Sequence, residues 1–131
     1  MRPLPAPDPA PLVAIVDDDD SHRDSVRMLV RSFGFRTEVF PRAKDVLLWE
    51  RINEAACLIV DVRMPEMSGL ELQRHLMRIR PGLPIIFLTA HADEGEERQA
   101  MQAGAVALLR KPVADQVLMG MLLRVARAQS P

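Results

Sequence analysis

Apolar residues along the chain fall into two alternating patterns. Short, mostly branched runs occupy 12–16 (LVAIV), 36–40, 57–60 (CLIV), 84–88 (PIIFL) and 105–109 (AVALL). Their hydrophobicity is continuous rather than alternating, as in parallel strands covered on both faces. Between them, apolar residues recur at helical spacing: Val26, Leu29, Val30 and Phe33, then Leu72, Leu76 and Ile79, then Leu118, Met121, Leu122 and Val125. Ser68 with Glu71 and Asp93 with Glu96 have the spacing of capping boxes, and Gly34 and Gly104 stand where helix C-terminal caps are expected. The segment 42–53 is the weakest helix of the set, because its apolar residues are spread all round. Strands alternating with helices in this way predict a doubly wound α/β domain. Right-handed crossovers then bring functional groups to the carboxyl ends of the strands, near the reversal of strand order.

Composition narrows the picture. With 131 residues, 48% of them hydrophobic and 27% charged, the chain has the balance of one soluble globular domain. We place that domain at 12–128. Residues 1–11 carry Pro3, Pro5, Pro7, Pro9 and Pro11 and are expected to be an extended, disordered tail. Gln129-Ser130-Pro131 reads as a tail or the start of a linker. A net charge of −1 sets up no global field toward nucleic acid or an anionic membrane, so neither is expected to bind this chain directly. Apolar stretches are too short to span a bilayer and the N-terminus lacks a secretory h-region, which leaves the cytoplasm as the expected compartment. Cys57 is the only cysteine, so no internal disulfide can form and a buried thiol is expected.

Candidate chemistry gathers at the predicted strand ends. Asp17 to Asp20 follow the first run directly; Asp19 and Asp20 read as loop and helix cap, whereas Asp17 and Asp18 should open into the crevice. Asp61 ends the third run and approaches the same place. Two carboxylates about 4 Å apart repel by roughly 4 kcal/mol at an effective dielectric of 20, so such a cluster calls for raised pKa values or a cation. Oxygen-only, water-accessible ligands suit Mg²⁺. Thr89 ends the fourth run and Lys111 the fifth, placing a hydroxyl and an ammonium opposite the acids. His22 and His75 read as surface residues.

Over 12–128 the chain resembles the receiver domain of bacterial two-component response regulators, FixJ-type regulators most of all. The motifs that carry the resemblance are IVDDD at 15–19, DVRMPEMSG at 61–69, LTAH at 88–91 and GA…KP at 104–112. It implies a flavodoxin-like (βα)5 fold with strand order 2-1-3-4-5. It implies that Asp61 accepts a phosphoryl group from a histidine kinase or phosphotransfer protein in a Mg²⁺-dependent phosphorelay reaction. Asp18 then matches the direct metal ligand, Asp17 a ligand through water, and the Arg63 backbone carbonyl a further ligand. Thr89 matches the hydroxyl that binds the phosphoryl oxygen, and Lys111 the ammonium that pairs with it, before a cis bond to Pro112. Arg63 and His91 occupy variable positions that tune phosphorylation and hydrolysis. Such a domain catalyses only its own phosphorylation and dephosphorylation.

Two departures stand out. Leu108 lies three residues before Lys111, where the family usually has Tyr or Phe, and Val113 stands where Phe is common. Coupling through an inward-swinging aromatic is therefore in question, although the acidic site is complete. The resemblance places signalling on the face of the fourth helix, fifth strand and fifth helix, with Met101, Leu108, Met119 and Arg98. That face would serve an effector domain or partner protein, or a homodimer formed on phosphorylation. FixJ-type regulators normally continue into a DNA-binding domain. No helix-turn-helix is visible here, so a stand-alone or excised receiver is expected. Two other readings compete: a receiver-like module that signals without phosphorylation, which Leu108 motivates, and an aspartyl-phosphate phosphohydrolase. The latter commonly carries a second acid two residues after the nucleophile, where Arg63 stands, and needs cap elements for which there is no room.

Overall fold

The computed structural model describes residues 10–129; the expectations for 1–9 and 130–131 lie outside them. Five strands alternate with helices: β1 (Leu12–Val16), α1 (Asp20–Ser32), β2 (Arg36–Phe40), α2 (Ala43–Leu47), β3 (Ala55–Val60), α3 (Gly69–Ile79), β4 (Ile85–Thr89), α4 (Glu94–Gln102), β5 (Ala107–Arg110) and α5 (Asp115–Gln129). All strand pairings are parallel, in the order β2-β1-β3-β4-β5. This is the flavodoxin-like order that the resemblance implied.

Continuous hydrophobicity has the cause expected of it. Alternate residues of β1 feed two separate cores, because successive side chains of a strand point to opposite faces. Ala14 and Val16 join Leu58, Val60, Ile85 and Phe87 beneath α2, α3 and α4, which contribute Val46, Leu72, Leu76 and Ala100. Val13 and Ile15 join Cys57, Ile59, Ile86 and Leu88 beneath α1 and α5, through Val26, Val30, Leu118 and Leu122. The Cys57 thiol lies in the second core, and burial pushes its pKa up to about 12.

Capping sets where several helices start. Asp93 and Glu96 form a full capping box on α4, whereas Ser68 only accepts from the Glu71 N–H, without the reciprocal bond. Gly34 follows α1 at φ 96° and Gly104 follows α4 at φ 98°, a left-handed conformation that glycine takes without a Cβ penalty. The helix expected over 42–53 is realised only as α2, followed by a 3-10 turn at Ile52–Glu54. Trp49 leaves the helical path to pack on Phe40, ring centroids 5.0 Å apart. β3 begins at Ala55, two residues before the apolar run suggested, and Arg80 holds that start by donating to the carbonyls of Ile52 and Ala55. β5 begins two residues late, at Ala107. Among the described residues no helix is long and apolar enough to cross a membrane.

Candidate functional site

The carboxyl ends of β1 and β3 lie side by side, and the acids follow from that pairing. Asp17 leaves β1 with its N–H donating to the Phe40 carbonyl at 3.2 Å, and the Asp61 N–H donates to the Val16 carbonyl at 3.1 Å. Asp17 is buried, Asp61 half-buried and Asp18 exposed. One carboxylate oxygen from each of the three lies within 4.8 Å of the others. Lys111 reaches over them from the end of β5, its Nζ 3.1 Å from Asp61 Oδ2 and 3.4 Å from Asp17 Oδ2.

The acids are held unequally. Asp17 Oδ1 accepts from the Asp19 N–H at 2.9 Å, and Oδ2 lies 2.6 Å from His22 Nδ1 as well as near Lys111. Asp61 Oδ1 accepts from the Arg63 N–H at 3.1 Å, leaving Oδ2 for Lys111. Asp18 accepts no hydrogen bond within the described residues. Three carboxylates against one ammonium leave a formal excess of two negative charges within a few ångströms (3 − 1 = 2). Hard oxygen donors with that excess, one of them open to water, fit a cation such as Mg²⁺ that keeps several of its waters. Asp18 is the carboxylate ready to touch it.

Thr89 ends β4 fully buried, yet its hydroxyl does not face Asp61. It donates to the His91 carbonyl at 2.9 Å and accepts from the His91 N–H at 3.3 Å, closing the loop on itself. The Lys111–Pro112 bond is cis. Arg63 points its side chain away from the acids to Glu96, 2.8 Å off on the first turn of α4. Glu96 Oε1 also accepts from the Asp93 N–H at 3.1 Å, so one carboxylate closes the helix cap and tethers the loop after β3. Arg110 makes a second tether to Glu97 at 2.8 Å.

Two expectations need correcting. His22 is not a detached surface residue. Asp19 caps α1, accepting from the His22 N–H at 3.0 Å, and this contact holds the Asp19 carboxyl below the usual range. His22 therefore sits in the first turn, where a side chain leans back toward the strand end and meets Asp17. Its position three residues after a capping aspartate was the available signal. Leu108 is not part of an exposed face either. It pairs in register with Phe87 and is buried in the core beneath α4, because the sheet continues through β5 and that strand face is covered. By contrast Met101 and Arg98 are exposed and Met119 is half-buried. His75 is exposed, as expected.

A doubly wound sheet with an acidic cluster, a lysine and a threonine at adjacent strand ends defines a class of switch module rather than an enzyme with a substrate cleft. Residues 13–123 match the response regulator receiver domain, and the chain belongs to that family. It is 40% identical over 124 residues to response regulator protein TodT of Pseudomonas putida, covering 95% of this chain and 54% of TodT. It is 34% identical over 114 residues to transcriptional regulatory protein FixJ of Rhizobium meliloti, covering 87% of this chain and 56% of FixJ. The solved structure of response regulator StyR superposes with a TM-score of 0.82 at 43% identity, over 91% of this chain and 60% of that one. The chain thus spans about half the length of the curated relatives it matches.

Proposed function

We propose that this chain is the phosphoacceptor of a two-component phosphorelay and that Asp61 takes the phosphoryl group. The observation that carries the reading is the Asp61 carboxylate itself, steadied by the Arg63 N–H and by Lys111 inside an acidic cluster that calls for a cation. One Asp61 oxygen bonds to phosphorus as the P–N bond of a phosphohistidine breaks; its electron pair stays on the departing imidazole, which takes up a proton. The product is an acyl phosphate. Mg²⁺, held by Asp18, Asp61 and the Arg63 carbonyl and through water by Asp17, would neutralise charge on the transferring group. Lys111 shifts from the carboxylates to a phosphoryl oxygen. Thr89 gives up the His91 carbonyl to donate to another.

The donor is a histidine kinase or phosphotransfer protein. A groove of about 600 Å³ between α1 and α5 opens beside Lys111, with Val26, Leu29, Val113 and Leu118 as apolar walls for that partner. Output leaves through α4, β5 and α5, where Met101 and Arg98 are exposed, toward an effector region or a second copy of the chain. Incubation with Mg²⁺ and a small phosphodonor should add one labile phosphoryl group by intact-mass spectrometry. No adduct with any donor would favour a module that signals without phosphorylation; multiple turnover on phosphate esters would favour a phosphohydrolase.

Arg63 sets the rate at which this happens. Glu96→Gln keeps the acceptor for the Asp93 N–H but releases Arg63, whose guanidinium can then attend the incoming phosphoryl group. An exposed ion pair is worth at most about 1 kcal/mol, so phosphorylation should accelerate by about two- to fivefold. The initial rate from a small phosphodonor measures it, and a slower variant contradicts the tether.

A further inference from the structure

The phosphoacceptor reading assigns a task to every group around the acids except His22. Its Nδ1 makes the shortest polar contact of Asp17, 2.6 Å to Oδ2, with its side chain only 32% exposed. Asp17 accepts only, so the ring nitrogen is the donor; the Nδ1–H tautomer and the imidazolium both supply that proton, and the contact needs no particular charge on the ring. Lys111 shares the same oxygen at the longer distance of 3.4 Å while lying closer to Asp61. When Lys111 moves to a phosphoryl oxygen, Asp17 Oδ2 loses that donor. His22 and the Asp19 N–H then remain as its side-chain restraints.

We propose that His22 is a positioning residue for the divalent cation: it holds the Asp17 carboxylate in place for the metal's water shell while Lys111 is drawn away. The inference rests on the phosphoacceptor reading and goes beyond it. Partners one shell out from a metal ligand commonly contribute about 10- to 100-fold to metal affinity. His22 is one of three donors on Asp17, so the low end applies.

The test is calorimetric titration of the metal-free chain with MgCl₂ alone. His22→Ala should weaken Mg²⁺ binding by about tenfold, while His22→Asn, whose Nδ2 can replace Nδ1 as donor, should stay within about threefold of the wild type. Phosphorylation rates of all three should converge at saturating Mg²⁺, because only affinity is affected. Should His22→Ala unfold in EDTA, His22→Phe, which keeps a ring and lacks the donor, takes its place. Equal affinity of wild type and the donor-less variant overturns the proposal, as does an asparagine variant as weak as alanine. A wild type that binds no Mg²⁺ overturns the metal reading itself, a different failure visible before any variant is compared.

Discussion

Asp61→Asn should carry no phosphoryl adduct under any donor, and should nevertheless be more stable than the wild type in metal-free buffer. The two effects have one cause. Asp61 lies within 4.8 Å of two other carboxylates, and each such contact costs on the order of 3 kcal/mol at an effective dielectric of 20. Against these two repulsions stands one attraction, to Lys111, and that ammonium keeps Asp17 when Asp61 is neutral. Asparagine also preserves an oxygen for the Arg63 N–H. Much of the Coulomb energy is lost to solvent screening, so the net gain should be about 1 kcal/mol, or roughly 4 °C in Tm. Mg²⁺ should raise the Tm of the wild type more than that of the variant, since a ligand stabilises the state that binds it. Intact mass and thermal unfolding with and without Mg²⁺ measure both effects. A surviving adduct would move the acceptor to another residue, and a clear fall in Tm would show that the cluster is not under strain.

Gly69→Ala should damage both fold and site, by about 3 kcal/mol in stability and about a hundredfold in phosphorylation rate. A Cβ at Gly69 would collide with the Asp61 carbonyl oxygen and press on Val60 Cγ1 at 3.0 Å. Backbone cannot rotate aside as a flexible side chain would. The Gly69 N–H also donates to the Val62 carbonyl at 2.8 Å, and α3 is anchored by buried Leu72, Leu76 and Gln73, whose amide donates to the Ala100 carbonyl. Either the helix or Asp61 must shift, and a shift of about an ångström is enough to spoil alignment of the attacking oxygen. Gly120→Ala is the contrasting substitution. Nothing lies within 4 Å of its would-be Cβ in the exposed middle of α5, so it should gain about 0.5–1 kcal/mol. Urea unfolding of the two variants, together with the initial phosphorylation rate, separates them. Equal midpoints would mean that the helix start is loosely packed.

The strand ends were legible because their signal is local. Asp17, Asp61 and Thr89 each close an apolar run, and Lys111 follows one directly. Register then brings the acids and Lys111 together. Legibility failed where a residue's role depends on a neighbour distant in the chain. Leu108 looked like a missing surface aromatic, but pairing with Phe87 buries it and leaves no outward ring position to swing from. His22 looked like a helix-surface residue until the first turn of α1 closed on Asp17. Arg63 was read for its backbone carbonyl, while its side chain spans 33 residues of sequence to Glu96. Small residues blurred boundaries as well: Ala55 and Ala56 extend β3 without a strong apolar signal.

By itself, then, the amino-acid sequence determined the doubly wound fold and the presence of three acids, a threonine and a lysine at neighbouring strand ends. Periodicity and caps act over one element, and parallel crossovers leave few ways to arrange the elements. Only the tertiary structure decided how those groups are held. It gave Asp17 three donors and Asp18 none, turned the Thr89 hydroxyl onto His91, and spent the side chain of Arg63 on α4. Hydrogen bonds form or fail over tenths of an ångström, and such distances are set by packing between elements rather than by spacing along the chain.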